Sequence, residues 1–389
     1  MTPTRLVHVD ALRGFALFGI LAVNICAFAD PYYASTLTNP DYAGTVDHVV
    51  RFVISLLFET KFYLLFSFLF GYSFTLQMAA AERANAAFAP RMVRRQLALL
   101  ALGLAHGAAL YYGEILSTYA LLGLVLLAAR NLSPAKAYRW GICLVVTACS
   151  AWMLLGVLQA LEGNLTGVSS PDAADKLVAF TGSAVDTLRF HSGHLWSTVQ
   201  ALWLLQGPSA LAMFFFGYAA GRRQLLVAPY AWQPRLSRLL LITLPAGLLG
   251  AMIYALSAAY APGGGLETFA FGVGQLTAPL LSAAYALLML ALFSSAAGPW
   301  LCHWLAPVGK MALSNYLLQS VLLGLLFSGY GAGLINTLAP LLMLPVALGI
   351  FALQLWLSAR WLRTHPYGPM EWLLRAATLW AWPNWRRTA

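Results

Sequence analysis

The sequence predicts an all-α protein, a polytopic bundle of about ten transmembrane helices with both termini on the cytoplasmic side. Three observations lead there. Of 389 residues, 60% are apolar and only 9% are charged, whereas a soluble domain carries roughly a quarter charged residues. The apolar residues form long continuous runs rather than alternating ones, so helices and not barrel strands satisfy the backbone in lipid. The basic residues sit in short clusters between those runs, as topology signals do.

The runs place spans at 13–29, 61–80, 96–112, 115–129, 140–161, 208–221, 237–260, 268–297, 311–328 and 335–359. The chain reads as one integral membrane domain, 1–389. Segment 46–59, in an outer loop 30–60, mixes Val, Phe and Leu with Asp47, His48 and Arg51 and predicts an amphipathic surface helix. Segment 172–206, in a second outer loop 162–207, predicts another. The run 268–297 is long enough to tilt or break, with Gly272, Gly274 and Pro279 as break points.

Alternating the spans from an inner N-terminus puts 19 of the 23 basic residues inside, from Arg5 and Arg13 to Arg387. Only Arg51, Lys61, Lys176 and Arg189 fall outside. The reverse orientation inverts the positive-inside rule. The net charge of +10 is therefore a topology signal, and no nucleic-acid partner is expected. The partner is the lipid bilayer, and localisation is a bacterial plasma (inner) membrane. A second copy of the chain, as a homodimer, is compatible with this reading.

Several chemistries have no motif here. There is no P-loop, no GxSxG, no HExxH and no CxxC pair. Cys26, Cys143, Cys149 and Cys302 lie in or beside spans and read as small core residues. His191 and His194 form an i, i+3 pair but lack further ligands, so no metal site is expected. No covalently bound cofactor is expected either. The first apolar run has no small-residue cleavage site, which argues against a removed signal peptide.

Polar residues inside spans are costly and single out four places. Asp10 and Arg13 share a helix face at the inner end of span one. They read as a cap and anchor, or as a site for an anionic head group or phosphate. Asn24 lies deep in the same span and reads as interhelical glue or a hydrogen-bond donor in a site. His106 lies in span three with Glu114 and Tyr119 following. It reads as a packed histidine or as a general base oriented by Glu114. Ser314, Asn315, Gln319 and Ser320 crowd span nine and line a helix interface or a polar cavity. Asn24 and His106 each fall about 16 Å beyond an inner arginine, at similar depth. If functional, Asn24, His106 and Asn315 should meet around one cavity.

These residues carry a resemblance. The opening Asp10-Ala-Leu-Arg13-Gly14 through Asn24, the stretch Lys61 through Ser67 to Gly71, and His106 through Gly113-Glu114 to Tyr119 resemble the YeiB-like family of bacterial membrane proteins. So do Gly309-Lys310 through Ser320 and Tyr367-Gly368-Pro369-Met-Glu371-Trp372, which match its C-terminal domain of unknown function. Where many members have Gly-Asp, this chain has Gly113-Glu114. The family is grouped with transmembrane acyltransferases, including heparan-alpha-glucosaminide N-acetyltransferase. That enzyme shares the Arg-Gly and Val-Asn elements found here as Arg13-Gly14 and Val23-Asn24. The resemblance implies an active-site role for Asn24. The position of that enzyme's catalytic histidine is Ser35 here, which leaves His106 as the expected base and His48 as the alternative.

The function so implied is transfer of an acyl group from cytoplasmic acyl-CoA, as co-substrate, to an acceptor at the outer face. His106 would be the base, Glu114 its orienting group and Asn24 an oxyanion donor. Asp10, Arg13, Tyr119, Ser314, Asn315 and Gln319 would bind substrate. The rival expectation is a transporter or flippase of a small or amphipathic solute.

Overall fold

The runs of Leu, Ala and Phe that predict spans fold as helices, since each backbone group then finds its partner within its own segment. The structure, a computed structural model, describes residues 6–33, 37–162, 173–227 and 233–387. Arg5, Ser35 and parts of both expected outer loops, 34–36 and 163–172, lie outside the described residues. Among the described residues there are fifteen helices and no strand.

Six stretches are long and apolar enough to cross a bilayer. They are α1 (Val7–Ala29), the stretch Thr45–Arg83 that joins α2 (Thr45–Leu57) to α3 (Lys61–Arg83), α6 (Pro134–Glu162), α10 (Gln233–Tyr260), α11 (Gly265–Phe293) and α14 (Pro340–Thr364). Two bent pairs qualify only when taken together. They are α8 (Ala184–Leu205) with α9 (Gly207–Arg222), bent by 55°, and α12 (Gly298–Lys310) with α13 (Ala312–Phe327), bent by 79°. Length and apolarity therefore give six to eight crossings. Two expected spans fall outside that set: α4 (Phe88–Ala109) carries Arg91, Arg94 and Arg95 in its first half, and α5 (Leu116–Ala128) has 13 residues.

Of the two expectations for the run 268–297, tilt or break, the break does not occur, and the structure departs from expectation elsewhere. The helix α11 runs unbroken through Gly272, Gly274 and Pro279. It is clasped by α6 and α10, and packing on both sides holds a proline within a membrane helix. The region 172–206 is not one amphipathic helix. It holds α7 (Ala173–Thr181) and α8, separated at Gly182 and Ser183, where Ser183 and Asp186 cap α8 reciprocally. Two helices were missed. They are α12 and α15 (Pro369–Leu379), both too short and too mixed in polarity to read as spans.

Glycines set the closest crossings. A Cβ on Gly71 of α3 would strike the backbone of Phe214 in α9, and one on Gly217 of α9 would strike the backbone of Phe68 in α3. The same reciprocity joins α1 to α12. A Cβ on Gly14 meets the Leu305 carbonyl, and one on Gly309 meets the Asp10 carbonyl. Backbones that approach so closely gain the dispersion contacts that drive association where lipid removes the hydrophobic effect. Separately, α1 packs against α3, and a cavity opens along both.

Gly217→Ala forces the α3–α9 backbones apart and should cost about 1–3 kcal/mol, the range for overpacking. Gly349→Ala, where a Cβ meets nothing within 4 Å, should leave the thermal midpoint in detergent unchanged. Equal midpoints for the two variants would deny the crossing its tightness.

Candidate functional site

Along α1 the residues Leu6, Val9, Asp10, Arg13, Leu17, Ile20, Val23, Asn24 and Ala27 recur at three- and four-residue steps, and all of them line one cavity. Along α3 and the turn before it, Glu59, Tyr63, Phe66, Phe70, Ser73 and Gln77 do the same. The cavity has a volume of about 1330 Å³. From Asp10 to Ala27 it follows α1 for about 25 Å at 1.5 Å per residue, close to the roughly 30 Å of a hydrocarbon core. Each stripe is polar at its ends and mainly apolar between them.

The end beside the start of α1, inner in the expected orientation, is cationic. Arg13 Nη1 pairs with Asp10 Oδ1 at 2.6 Å, and Nη2 donates to the Ser73 hydroxyl. Arg95 of α4 and Lys310 of α12 also line this end. Arg95 faces Arg13 and Arg375 as like charges and Glu371 as an opposite one. Its Nε is closed off with no hydrogen-bond partner. A guanidinium kept among like charges is poised for an anion. Glu371, on α15, caps α13. Its Oε1 accepts from the N–H of Leu313 at 2.7 Å and of Ser314 at 3.0 Å, and its Oε2 from the Ser314 hydroxyl at 2.5 Å.

Beyond the apolar middle, one turn before Ala27, the Asn24 amide makes no hydrogen bond to any described residue and is open to the cavity. On the facing wall, the Tyr119 hydroxyl bonds the Ser67 hydroxyl at 2.6 Å and donates to the Tyr63 carbonyl at 3.0 Å. Gln275 Nε2 donates to the Tyr63 hydroxyl at 3.0 Å.

The outer end holds a buried charge network. Arg51 Nη1 lies 2.5 Å from Glu59 Oε1, and the Tyr33 hydroxyl donates to the same oxygen. The Arg51 guanidinium also sits over the Tyr33 ring, 5.0 Å from its centroid. Burial, with the Glu59 carboxylate beside it, pushes the Tyr33 phenol well up, so it stays a donor. Lys176 Nζ donates to the carbonyls of Ala27 at 2.7 Å and Asp30 at 3.2 Å, which closes the C-terminal end of α1. His194 of α8 also lines this end.

The expected site residues thus divide. Asp10, Arg13, Asn24 and Tyr119 line the cavity; His106, Glu114, Ser314, Asn315 and Gln319 do not. His106 is 3% exposed and directs Nε2 to the Ser320 hydroxyl at 2.8 Å, while Nδ1 has no partner. Glu114 does not orient it. Its carboxylate is turned instead to the first N–H groups of α5, at 2.6 Å to Leu116 and 3.1 Å to Ser117. Asn315 Nδ2 donates to Ser358 at 2.9 Å and to the Val308 carbonyl at 3.2 Å, and Gln319 Nε2 donates to Gln354 at 2.9 Å. Asn24, His106 and Asn315 therefore do not share the cavity. His48 stacks on Tyr260 and lines a smaller outer pocket of about 110 Å³. Among the described residues no group of His, Cys, Asp and Glu is arranged to hold a metal.

Residues 220–381 match the model of a family described as "Protein of unknown function (DUF418)". The chain is 29% identical to "Uncharacterized protein YxaH" of Bacillus subtilis (strain 168), over 98% of this chain and 96% of that protein. It is 28% identical to "Uncharacterized protein YeiB" of Escherichia coli (strain K12), over 96% of each. Over nearly its whole length the chain is thus similar to YeiB-like proteins, and its C-terminal part matches the DUF418 model. The likeness runs nearly end to end, so every wall of the cavity falls inside it. Arg51, Glu59, Arg95 and His194 are cavity residues that the sequence did not mark as a site. They lie on α2, in the turn before α3, on α4 and on α8, so no local pattern joined them to the residues singled out on α1.

Thermal unfolding in one detergent separates the two groups of polar residues. Asn315→Leu removes two hydrogen bonds between buried groups and should lower stability by about 1–2 kcal/mol. Asn24→Leu removes none and should leave the midpoint unchanged or raise it. A loss at Asn24 equal to that at Asn315 would make Asn24 a structural residue.

Proposed function

We propose that the protein is a transmembrane acyltransferase that takes an acyl group from cytoplasmic acyl-CoA and passes it to an acceptor at the outer face. The observation that carries this reading is the single cavity that joins a cationic inner end to a polar outer end, with the Asn24 amide open to it near the outer end. An acyl-CoA has phosphates at one end and a thioester at the other, joined by a thin arm. Arg13, Arg95 and Lys310 suit the phosphates. The mainly apolar stretch beyond them, past Leu17 and Ile20, suits the arm. The thioester is already activated, so the protein must supply an oxyanion donor and a base. Asn24 Nδ2, unpaired and in a region of low dielectric, suits the oxyanion. The likeness of Arg13-Gly14 and Val23-Asn24 to transmembrane acyltransferases points the same way.

In this reading the chain crosses a bacterial plasma membrane ten times. The helices α4 and α5 complete the count, and both termini lie inside. The arginines at the start of α4 then fall on the cytoplasmic side with Arg13 and Lys310, in line with the positive-inside rule. The rival reading, carriage of an intact amphipathic anion, rests on the same cavity having cationic groups at both ends. Acetyl-CoA labelled in the acetyl group, offered to purified protein in vesicles, tells them apart. Label on an acceptor supports transfer, and labelled acetyl-CoA inside the vesicle supports carriage.

Arg95→Gln should weaken CoA binding about tenfold or more, the effect of one charge-assisted contact, read as loss of the thermal shift that CoA gives the unsubstituted protein. An undiminished shift would remove Arg95 from the phosphate site. For topology, cysteines are placed singly in a background lacking the four native ones. One at Asn85 should label only from the cytoplasm, and one at Arg189 only from outside.

A further inference from the structure

Of the seven histidines in the chain, His194 alone lines the cavity. It opens a stripe on α8 that continues through Ser197, Thr198, Ala201, Leu202 and Leu205, all of them cavity residues at helical spacing. The stripe is polar at its outer end, mainly apolar through Ala201, Leu202 and Leu205, and polar again at Gln206.

The ring packs near two others. Its centroid lies 4.2 Å from that of Phe190 and 6.4 Å from that of Tyr112. Nδ1 lies 2.9 Å from the Phe190 carbonyl oxygen. A carbonyl only accepts, so the hydrogen of the neutral ring is on Nδ1, and Nε2 is left as an acceptor. Nε2 bonds no described residue and is not sealed within the protein. This differs from His106, whose Nε2 is taken by Ser320 and whose Nδ1 is closed off. A backbone carbonyl that fixes the tautomer and leaves the other nitrogen free in a cavity is the arrangement a general base needs.

We infer that His194, through Nε2, is the general base of the acceptor half-reaction, at the outer end of the cavity. This rests on the acyl-transfer reading above. The acceptor is a hydroxyl- or amine-bearing molecule that enters from outside. Its oxygen or nitrogen bonds to the thioester carbonyl carbon as its proton moves to Nε2. The carbon–sulfur bond then breaks, and the thiolate takes the proton from the imidazolium to leave as free thiol. The products are the acylated acceptor and CoA. No oxidant or metal is required.

The test uses full-length protein in vesicles, with labelled acetyl-CoA on the cytoplasmic side and glycerol or ethanolamine on the outer side. Label is counted in every product, including acetate from water. His194→Gln should bind CoA with an unchanged thermal shift yet transfer label about 10²–10⁴-fold more slowly. The rate of the unsubstituted protein should fall as acid protonates an imidazole, and that limb should vanish in the variant. Imidazole added to His194→Ala should restore part of the rate, a rescue that a packing role would not give. Transfer by His194→Gln at the full rate, with the acid limb intact, overturns the base assignment alone. Label left wholly on CoA by the unsubstituted protein overturns the acyl-transfer reading and the base with it.

Discussion

A bilayer offers no hydrogen bonds, so every polar group within it must be met by the protein or by something in a cavity. This condition sorts the buried polar residues into two sets. In the first, partners come from neighbouring helices and loops. Gln319 donates to Gln354, Gln354 donates to the Asn315 carbonyl, and Asn315 donates to Ser358, which ties α13 to α14. Glu114 and Glu371 cover the opening N–H groups of α5 and α13, and Lys176 covers carbonyls at the end of α1. In the second set no partner is present. The Asn24 amide, the Arg95 Nε and the His194 Nε2 are unmet by any described residue, and all three residues face the one cavity. Where such a group is also open to the cavity, as Asn24 and His194 are, a ligand can make up the difference.

The helices were legible because apolar runs must be helical in lipid, and the boundaries of α1, α3 and α9 follow the runs within a few residues at most ends. The misreadings have local causes. Proline and glycine weaken an isolated helix, but α11 is not isolated, so Pro279 did not break it. The Glu114 carboxylate is two turns from His106 along an ideal helix. The chain leaves the helix after Ala109, however, and the start of α5 claims that carboxylate.

The site was legible in kind but not in membership. Sequence shows which residues are polar and not which are already satisfied, because the partners come from far along the chain. His106 is met by Ser320, 214 positions away, and Gln319 by Gln354, 35 away. Arg95 reads as a topology signal and His194 as half of a metal pair until the fold turns both into one cavity. The α1 face was present as a pattern throughout. Its middle residues, Leu17 and Ile20, are of the kind that also faces lipid, so nothing local distinguished a wall of the cavity from an outer surface.

The cavity also bears on what the C-terminal family match can do by itself. Residues 220–381 supply Gln275, Lys310, Tyr316 and Glu371 to its walls. Arg13 and Asn24 come from α1, Arg95 from α4 and His194 from α8, all before that segment. The two regions are joined where α1 crosses α12 at Gly14 and Gly309, a contact too close for any side chain between them. The inner cationic end sits at that crossing, with Arg13 one residue before the first glycine and Lys310 one after the second. A change at either glycine would therefore move two cations of the proposed phosphate site apart, and the matched segment alone would hold one wall of a cavity with the unmet polar groups missing.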